Sequence, residues 1–166
     1  MLTTATVYTF LFIHIGVILV VTAYYVFGAA VAPGLTERSR ARFARRPWLP
    51  MLLGLVISVP WVVLALILLN AGIGGARFAG AVLGCLWLLC SLLGGAGMAQ
   101  HVGRGDDRSP TWISSVRGGL FITLTWVLPL VGWLGMLPLT LATGLGCLIL
   151  GLFPARPAAT PEEIYA

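Results

Sequence analysis

The sequence predicts an all-α integral membrane protein built from four hydrophobic helical elements. Hydrophobic residues make up 59% of the 166 residues and charged residues 9%, whereas a soluble domain carries about 25% charged residues. The mean hydropathy is +1.00. So few polar side chains cannot cover a water-soluble globule, and long apolar runs are typical of helices that cross a bilayer. The lipid bilayer is therefore the first partner that the composition predicts.

The first three elements are predicted to be single spans. Pro33-Gly34 ends the first, because proline cannot continue the helical hydrogen-bond ladder. Pro60 lies near the middle of the second and predicts a kink. The glycine-rich turn at 70–77 is short, so the second and third spans should form an antiparallel hairpin. The predicted spans cover about residues 7–32, 48–70 and 78–99.

The fourth element, at 120–153, is a broken one. Its 34 residues contain no charge, and as one straight helix they would rise about 51 Å against a hydrocarbon core of roughly 30 Å. Two full spans would need about 40 residues. We predict either a re-entrant hairpin or a kinked long span; these place the flexible tail at 154–166 on opposite sides of the membrane. The predicted helix-break residues are Pro129, Gly132, Gly135 and Pro138.

An arginine-rich loop at 33–47 sets the predicted orientation. This loop contains five arginines and a single acidic residue, Glu37. Basic loops stay in the cytoplasm. We place this loop and the one at 100–118 on the cytoplasmic side, with the N-terminus outside. A short surface helix on anionic lipid head groups is also plausible here. The predicted lipid or partner contacts are Arg38, Arg40, Arg42, Arg45 and Arg46.

All ten basic residues are arginine, which indicates a GC-rich bacterial genome and hence the bacterial cytoplasmic membrane. Residues 1–6 carry no basic side chain, and the apolar run that follows is longer than the core of a signal peptide. We therefore expect the first segment to stay as an anchor. The positive charge is concentrated in one loop, where membrane orientation explains it, so the sequence predicts no nucleic-acid partner.

Small residues in the spans predict close helix packing, within the chain or between chains. Gly80 and Gly84 form a GxxxG pair in the third span, and further glycines cluster at its inner end and in the last element. Small side chains let helix backbones approach, which replaces the hydrophobic drive that lipid removes. The predicted packing residues are Gly80, Gly84, Gly94, Gly95 and Gly146.

His14 is the only histidine or charged residue inside a predicted span. Such residues are candidates for function, as a proton relay or as a ligand to a metal, haem or pigment. The alternative is a neutral histidine hydrogen-bonded to a neighbouring helix. His101 lies at the other end of the bundle, roughly 20 Å away in depth, so the two histidines cannot bind one haem together. The sequence thus predicts no cofactor, while a pigment or haem held by His14 alone stays open.

Other chemistry-bearing residues carry weaker signals. His101, Asp106, Asp107 and Ser109 form one polar cluster, but its spacing matches no zinc pattern, and neither GxSxG nor HExxH occurs. Paired aspartates beside arginines are typical of a solvated loop. Three cysteines without a CxxC spacing argue against a disulfide framework. No metal site and no enzymatic activity are predicted.

Three classes of function follow from this scarcity of polar residues. The first is a non-catalytic subunit or scaffold of a larger membrane protein complex, packing through small-residue helix faces. The second is a homo-oligomeric channel that uses the broken last element to line its path. The third is a membrane cofactor protein or enzyme centred on His14 or on the loop that follows His101. Ion-coupled transport is disfavoured, because the spans contain no carboxylate or basic side chain other than His14.

Overall fold

A computed structural model describes residues 4–105, 110–128 and 130–153, and these form a bundle of six α-helices and one π-helix. Four elements are long and apolar enough to cross a membrane: α1, α3, α4, and the π-helix together with α6. The predicted all-α membrane fold is confirmed, and the chain is a multi-pass protein in contact with the bilayer. The elements are α1 (Thr4–Val31), α2 (Pro33–Arg45), α3 (Trp48–Asn70), α4 (Gly74–Val102), α5 (Thr111–Trp126), the π-helix (Val131–Met136) and α6 (Leu137–Leu152).

The predicted arginine-rich loop is largely helical. α1 ends at Val31, as the Pro33-Gly34 signal predicts, but the chain bends only at Ala32 and α2 begins at once. Proline suits the first helical position, where a missing N–H costs nothing. α2 then packs across α4 and α6 through the buried residues Thr36 and Ser39. We call the end of the bundle where α2 lies the α2 end.

α3 and α4 form the predicted antiparallel hairpin. The indole nitrogen of Trp61 donates to the carbonyl oxygen of Leu83 at 3.0 Å, and that of Trp87 donates to the hydroxyl of Ser58 at 3.0 Å. Pro60 lies within a continuous α3. α4 extends several residues beyond the predicted span at both ends. Its polar end at the α2 end packs against α5, where Gly103 approaches Ser114 and Gly118.

The last block divides into two helices that run in opposite directions. α5 begins at Thr111, well before the predicted block, and runs antiparallel to α4, with Gly103 against Ser114 and Ala99 against Gly118. The chain turns after Trp126, and α6 then runs back between α3 and α4. The start of α5 and the end of α6 both lie at the α2 end.

The predicted helix-break residues occupy different places. Pro129 lies outside the described residues. Gly132 and Gly135 belong to the π-helix, whose wide turn is closed by a bond from the N–H of Leu137 to the carbonyl of Gly132. Pro138 lies in the first turn of α6, a position that tolerates proline, rather than at the break itself. The chain therefore reverses between Trp126 and the π-helix. The tail at 154–166 also lies outside the described residues.

Candidate functional site

Glycines bring the helix backbones into direct contact near the α2 end. A Cβ atom on Gly94 would overlap the carbonyl oxygen of Gly144, and one on Gly146 would overlap that of Pro50. Gly95 lies against the ring of Tyr25, where a Cβ would be 3.0 Å from Cε1. Gly80 makes a similar approach to α3 at the opposite end of the hairpin. These four predicted packing glycines all lie at interfaces between helices of this chain.

Gly84, the second member of the GxxxG pair, has a different environment. A Cβ atom there would meet nothing within 4 Å. Gly84 therefore does not pack against a helix of this chain, because only Gly80 points toward α3. Sequence analysis missed Gly54 and Gly118 and gave Gly144 only as part of a small-residue run in the last element; all three make equally close contacts. The GxxxG spacing could not find them, since none is paired with a second glycine four residues away.

α2 is held by two hydrogen bonds and by close packing against two glycines. The hydroxyl of Ser39, which is fully buried, donates to the carbonyl oxygen of Cys147 at 2.9 Å. Gly97 of α4 and Gly151 of α6 leave room for it: a Cβ on Gly97 would lie 2.7 Å from the Cβ of Ser39. Thr36 adds a weaker bond to the carbonyl of Gly28 at 3.4 Å. The polar helix is thereby fixed to the spans.

The opposite face of α2 presents the predicted contact arginines. Arg38, Arg45 and Arg46 are exposed, whereas Arg40 and Arg42 are partly buried. Arg40 forms an ion pair with Glu37, three residues earlier on the same helix. The structure thus brings all five arginines onto one short segment at one end of the bundle, and only one carboxylate within it offsets their charge.

His14 lines a cavity between α1, the end of α5 and the π-helix. The cavity has a volume of about 210 Å³ and is otherwise mostly apolar. The Nδ1 atom lies 2.7 Å from the carbonyl oxygen of Phe10. Nε2 is buried and has no hydrogen-bond partner among the described residues. Two tryptophans, Trp126 and Trp133, complete the walls. Sequence reasoning identified His14 but missed both of them.

Several of the remaining polar residues are used structurally, whereas the buried hydroxyls of Thr22 and Ser91 have no hydrogen-bond partner among the described residues. Other buried hydroxyls donate to backbone carbonyls of their own helices, as Thr123 does to Gly119 at 2.8 Å and Thr143 to Leu139 at 2.7 Å. His101 packs edge-on against Phe43 with ring centroids 5.5 Å apart. Asp106, Asp107 and Ser109 lie outside the described residues. Within the described part of the chain, no three residues with metal-ligating side chains come together.

A wider apolar groove of about 580 Å³ runs along α3, the π-helix and the start of α6. Its walls include Val59, Val63, Leu134 and Pro138. No family model, curated protein or solved structure matches the chain. Function is therefore inferred from three features of the chain itself: the glycine-packed core, the arginine face of α2 and the cavity at His14.

Proposed function

We propose that this chain is a non-catalytic subunit or scaffold of a larger membrane protein complex, in the bacterial cytoplasmic membrane. The observation that carries the proposal is the contrast between the inside and the outside of the bundle. Inside, backbones touch directly and buried hydroxyls are bonded mainly to carbonyls. The outer surface of the bundle exposes long apolar faces on which other helices can pack. Such a molecule offers a rigid surface for other helices but few groups for catalysis.

α1 supplies one of these free faces. It packs against α4 and α5 at the edge of the bundle, and its buried residues all lie in its second half. None of the residues at 4–20 is buried, and aromatic side chains such as Phe10 and Phe12 are 60% and 69% exposed. Gly16 lies in the middle of this stretch with free space around it. A partner helix could approach α1 closely at this glycine.

A homo-oligomeric channel ranks below this proposal. The broken element should then present polar groups to the conduction path. Instead, the side chains of Val131, Trp133 and Leu134 are more than half exposed, and all three are predominantly apolar. These residues suit lipid or a neighbouring helix better than an ion path.

The exposed arginines of α2 bear on two further points: the orientation of the chain in the membrane and its contact with anionic lipid. Basic segments face the cytoplasm, so we infer that the α2 end is cytoplasmic and that α1 begins outside. Because the last block starts and finishes at the α2 end, the end of α6 also falls on the cytoplasmic side. Of the two alternatives for this block, the hairpin is the one that agrees with these contacts. The exposed arginines are then placed to contact anionic lipid head groups.

The complex can be tested by native mass spectrometry after extraction from the native membrane in a mild detergent. We expect stable heteromers. Gly16→Leu should reduce the amount of co-purified partner severalfold without changing the thermal midpoint, since a Cβ atom at this position meets nothing of this chain within 4 Å. Gly72→Leu is the matched control, because a Cβ atom there also meets nothing within 4 Å but lies in the turn between α3 and α4, outside the spans. A bare monomer, or a homo-oligomer without other polypeptides, would contradict the proposal.

The lipid contact can be tested with the triple variant Arg38→Gln, Arg45→Gln and Arg46→Gln. Each arginine near an anionic surface contributes about 1 kcal/mol, so binding of phosphatidylglycerol should weaken by about two orders of magnitude at low salt. The measurement is a lipid titration followed by native mass spectrometry. Arg77→Gln, at the far end of α4, is the control. Equal lipid retention in the triple variant and the control would show that α2 is not the binding surface.

A further inference from the structure

The cavity at His14 has a defined hydrogen-bonding character. The Nδ1 atom lies 2.7 Å from the carbonyl oxygen of Phe10, and a carbonyl can only accept, so Nδ1 carries the proton in the neutral ring. Nε2 then has a free lone pair. This atom is buried and has no partner among the described residues. A ligand that completes the arrangement must therefore supply an O–H or N–H donor.

Two other polar groups of the cavity already have partners. The indole N–H of Trp126 donates to the hydroxyl of Thr140 at 3.0 Å, and the hydroxyl of Thr123 donates to the carbonyl of Gly119. The ring centroid of Trp133 lies 6.3 Å from that of His14. The walls therefore combine aromatic surface with a buried free acceptor at Nε2 of His14. Such walls favour a flat apolar ligand that carries one donor.

Size restricts the ligand further. A cavity of about 150 Å³ is enough to bind benzene, and sites for drug-sized molecules begin near 300 Å³. At about 210 Å³, this cavity fits one substituted aromatic ring. A haem or chlorophyll-type macrocycle is too large to enter it. Ile13 and Trp133 line the cavity and are each more than half exposed, so the entrance lies on the apolar surface of the bundle.

We propose that the His14 cavity binds a hydroxylated single-ring aromatic compound, the chemistry of a phenol or a hydroquinone. The ligand O–H donates to Nε2 of His14, and its ring packs on Trp126 and Trp133. The ring can come from a soluble phenol or from the head group of a membrane-dissolved hydroquinone. This assignment is independent of whether the chain is a subunit of a complex.

The test compares 4-methylphenol with toluene, which differs from it by the hydroxyl group alone. Binding to the purified full chain is measured by ligand-observed NMR, with empty micelles as the reference for partitioning. We expect 4-methylphenol to bind about tenfold more tightly than toluene, as one hydrogen bond to a buried acceptor predicts. In His14→Phe the ring remains but the acceptor is lost, so 4-methylphenol should no longer bind more tightly than toluene. His101→Phe, at the opposite end of the bundle, should preserve the difference.

Equal binding of the two compounds to the wild-type chain, or no binding of either, would overturn the proposal. So would a preference for 4-methylphenol that persists in His14→Phe. If that variant fails to fold, Val17→Trp offers a second route, because Val17 lines the cavity and is partly exposed. It should fill the cavity and abolish binding of both compounds, and unchanged binding would contradict the assignment.

The source of the ring is decided by competition in liposomes. A hydroquinone with an isoprenoid tail is incorporated in the bilayer, and binding of 4-methylphenol to the reconstituted chain is measured again. Displacement of 4-methylphenol would assign the site to a lipid-borne head group. Binding that persists at saturating hydroquinone would assign it to soluble phenols.

Discussion

Gly54→Ala is expected to destabilise the bundle by about 3 kcal/mol or more, the upper end of the usual cost of overpacking. A Cβ atom at this position would overlap the carbonyl oxygen of Ala142 and lie 2.9 Å from the backbone nitrogen of Gly146. Backbone atoms cannot rotate away as a side chain can, so α3 and α6 would have to separate. That movement would also break the contact between Gly146 and Pro50. The measurement is the unfolding midpoint in mixed detergent micelles.

The matched controls are Gly84→Ala and Gly16→Ala, which place the same methyl group where nothing lies within 4 Å. Alanine is the better helix former by about 1 kcal/mol in a helix interior, so these variants should be as stable as the wild type or slightly more stable. If all three alanine variants lost stability to the same extent, the backbone contact at Gly54 would not be the cause.

The spans were predictable because a long uncharged run has few structural alternatives in a membrane protein. α2 was harder to predict. Its arginines resemble a solvated loop. The bond from Ser39 to Cys147, across 108 residues of sequence, and the packing of Ser39 against Gly97 and Gly151 explain why it is an ordered docked helix. α5 was predicted to start too late for a related reason. Its polar first half is covered by α4, where Gly103 and Gly118 allow close approach.

The candidate site likewise contains one residue that local sequence reveals and others that only the folded chain brings close to it. A lone histidine in an apolar run can be recognised as a candidate functional residue from sequence alone. The residues around His14 could not be predicted in this way. Trp126 and Trp133 follow more than 100 residues later, and they reach His14 only because the chain reverses after α5. Likewise, GxxxG spacing could not distinguish Gly80, which meets α3, from Gly84, which meets no other helix of this chain. Helix rotation decides which glycine faces a neighbour.

Ser39→Leu is expected to release α2 from the bundle. Ser39 is fully buried between Gly97 and Gly151, and a Cβ on Gly151 would already lie 2.5 Å from its hydroxyl. Leucine would remove the hydrogen bond to Cys147 and force α2 outward, at a cost of about 3 kcal/mol from overpacking. Proteolysis follows the population of the open form. Trypsin should therefore cut within residues 38–46 at least tenfold faster than in the wild type.

Inverted membrane vesicles make this experiment a test of orientation as well. Fragment masses identify cuts within residues 38–46, and Ala44→Leu adds the same side chain on the exposed face of α2 and should leave the rate unchanged. Equal rates in the two variants would mean that Ser39 does not hold α2 in place. If the α2 end is cytoplasmic, accelerated cutting should occur in inverted vesicles and not in right-side-out ones. The opposite pattern would reverse the inferred topology while leaving the docking of α2 intact, because the contacts that hold this helix do not depend on which side it faces.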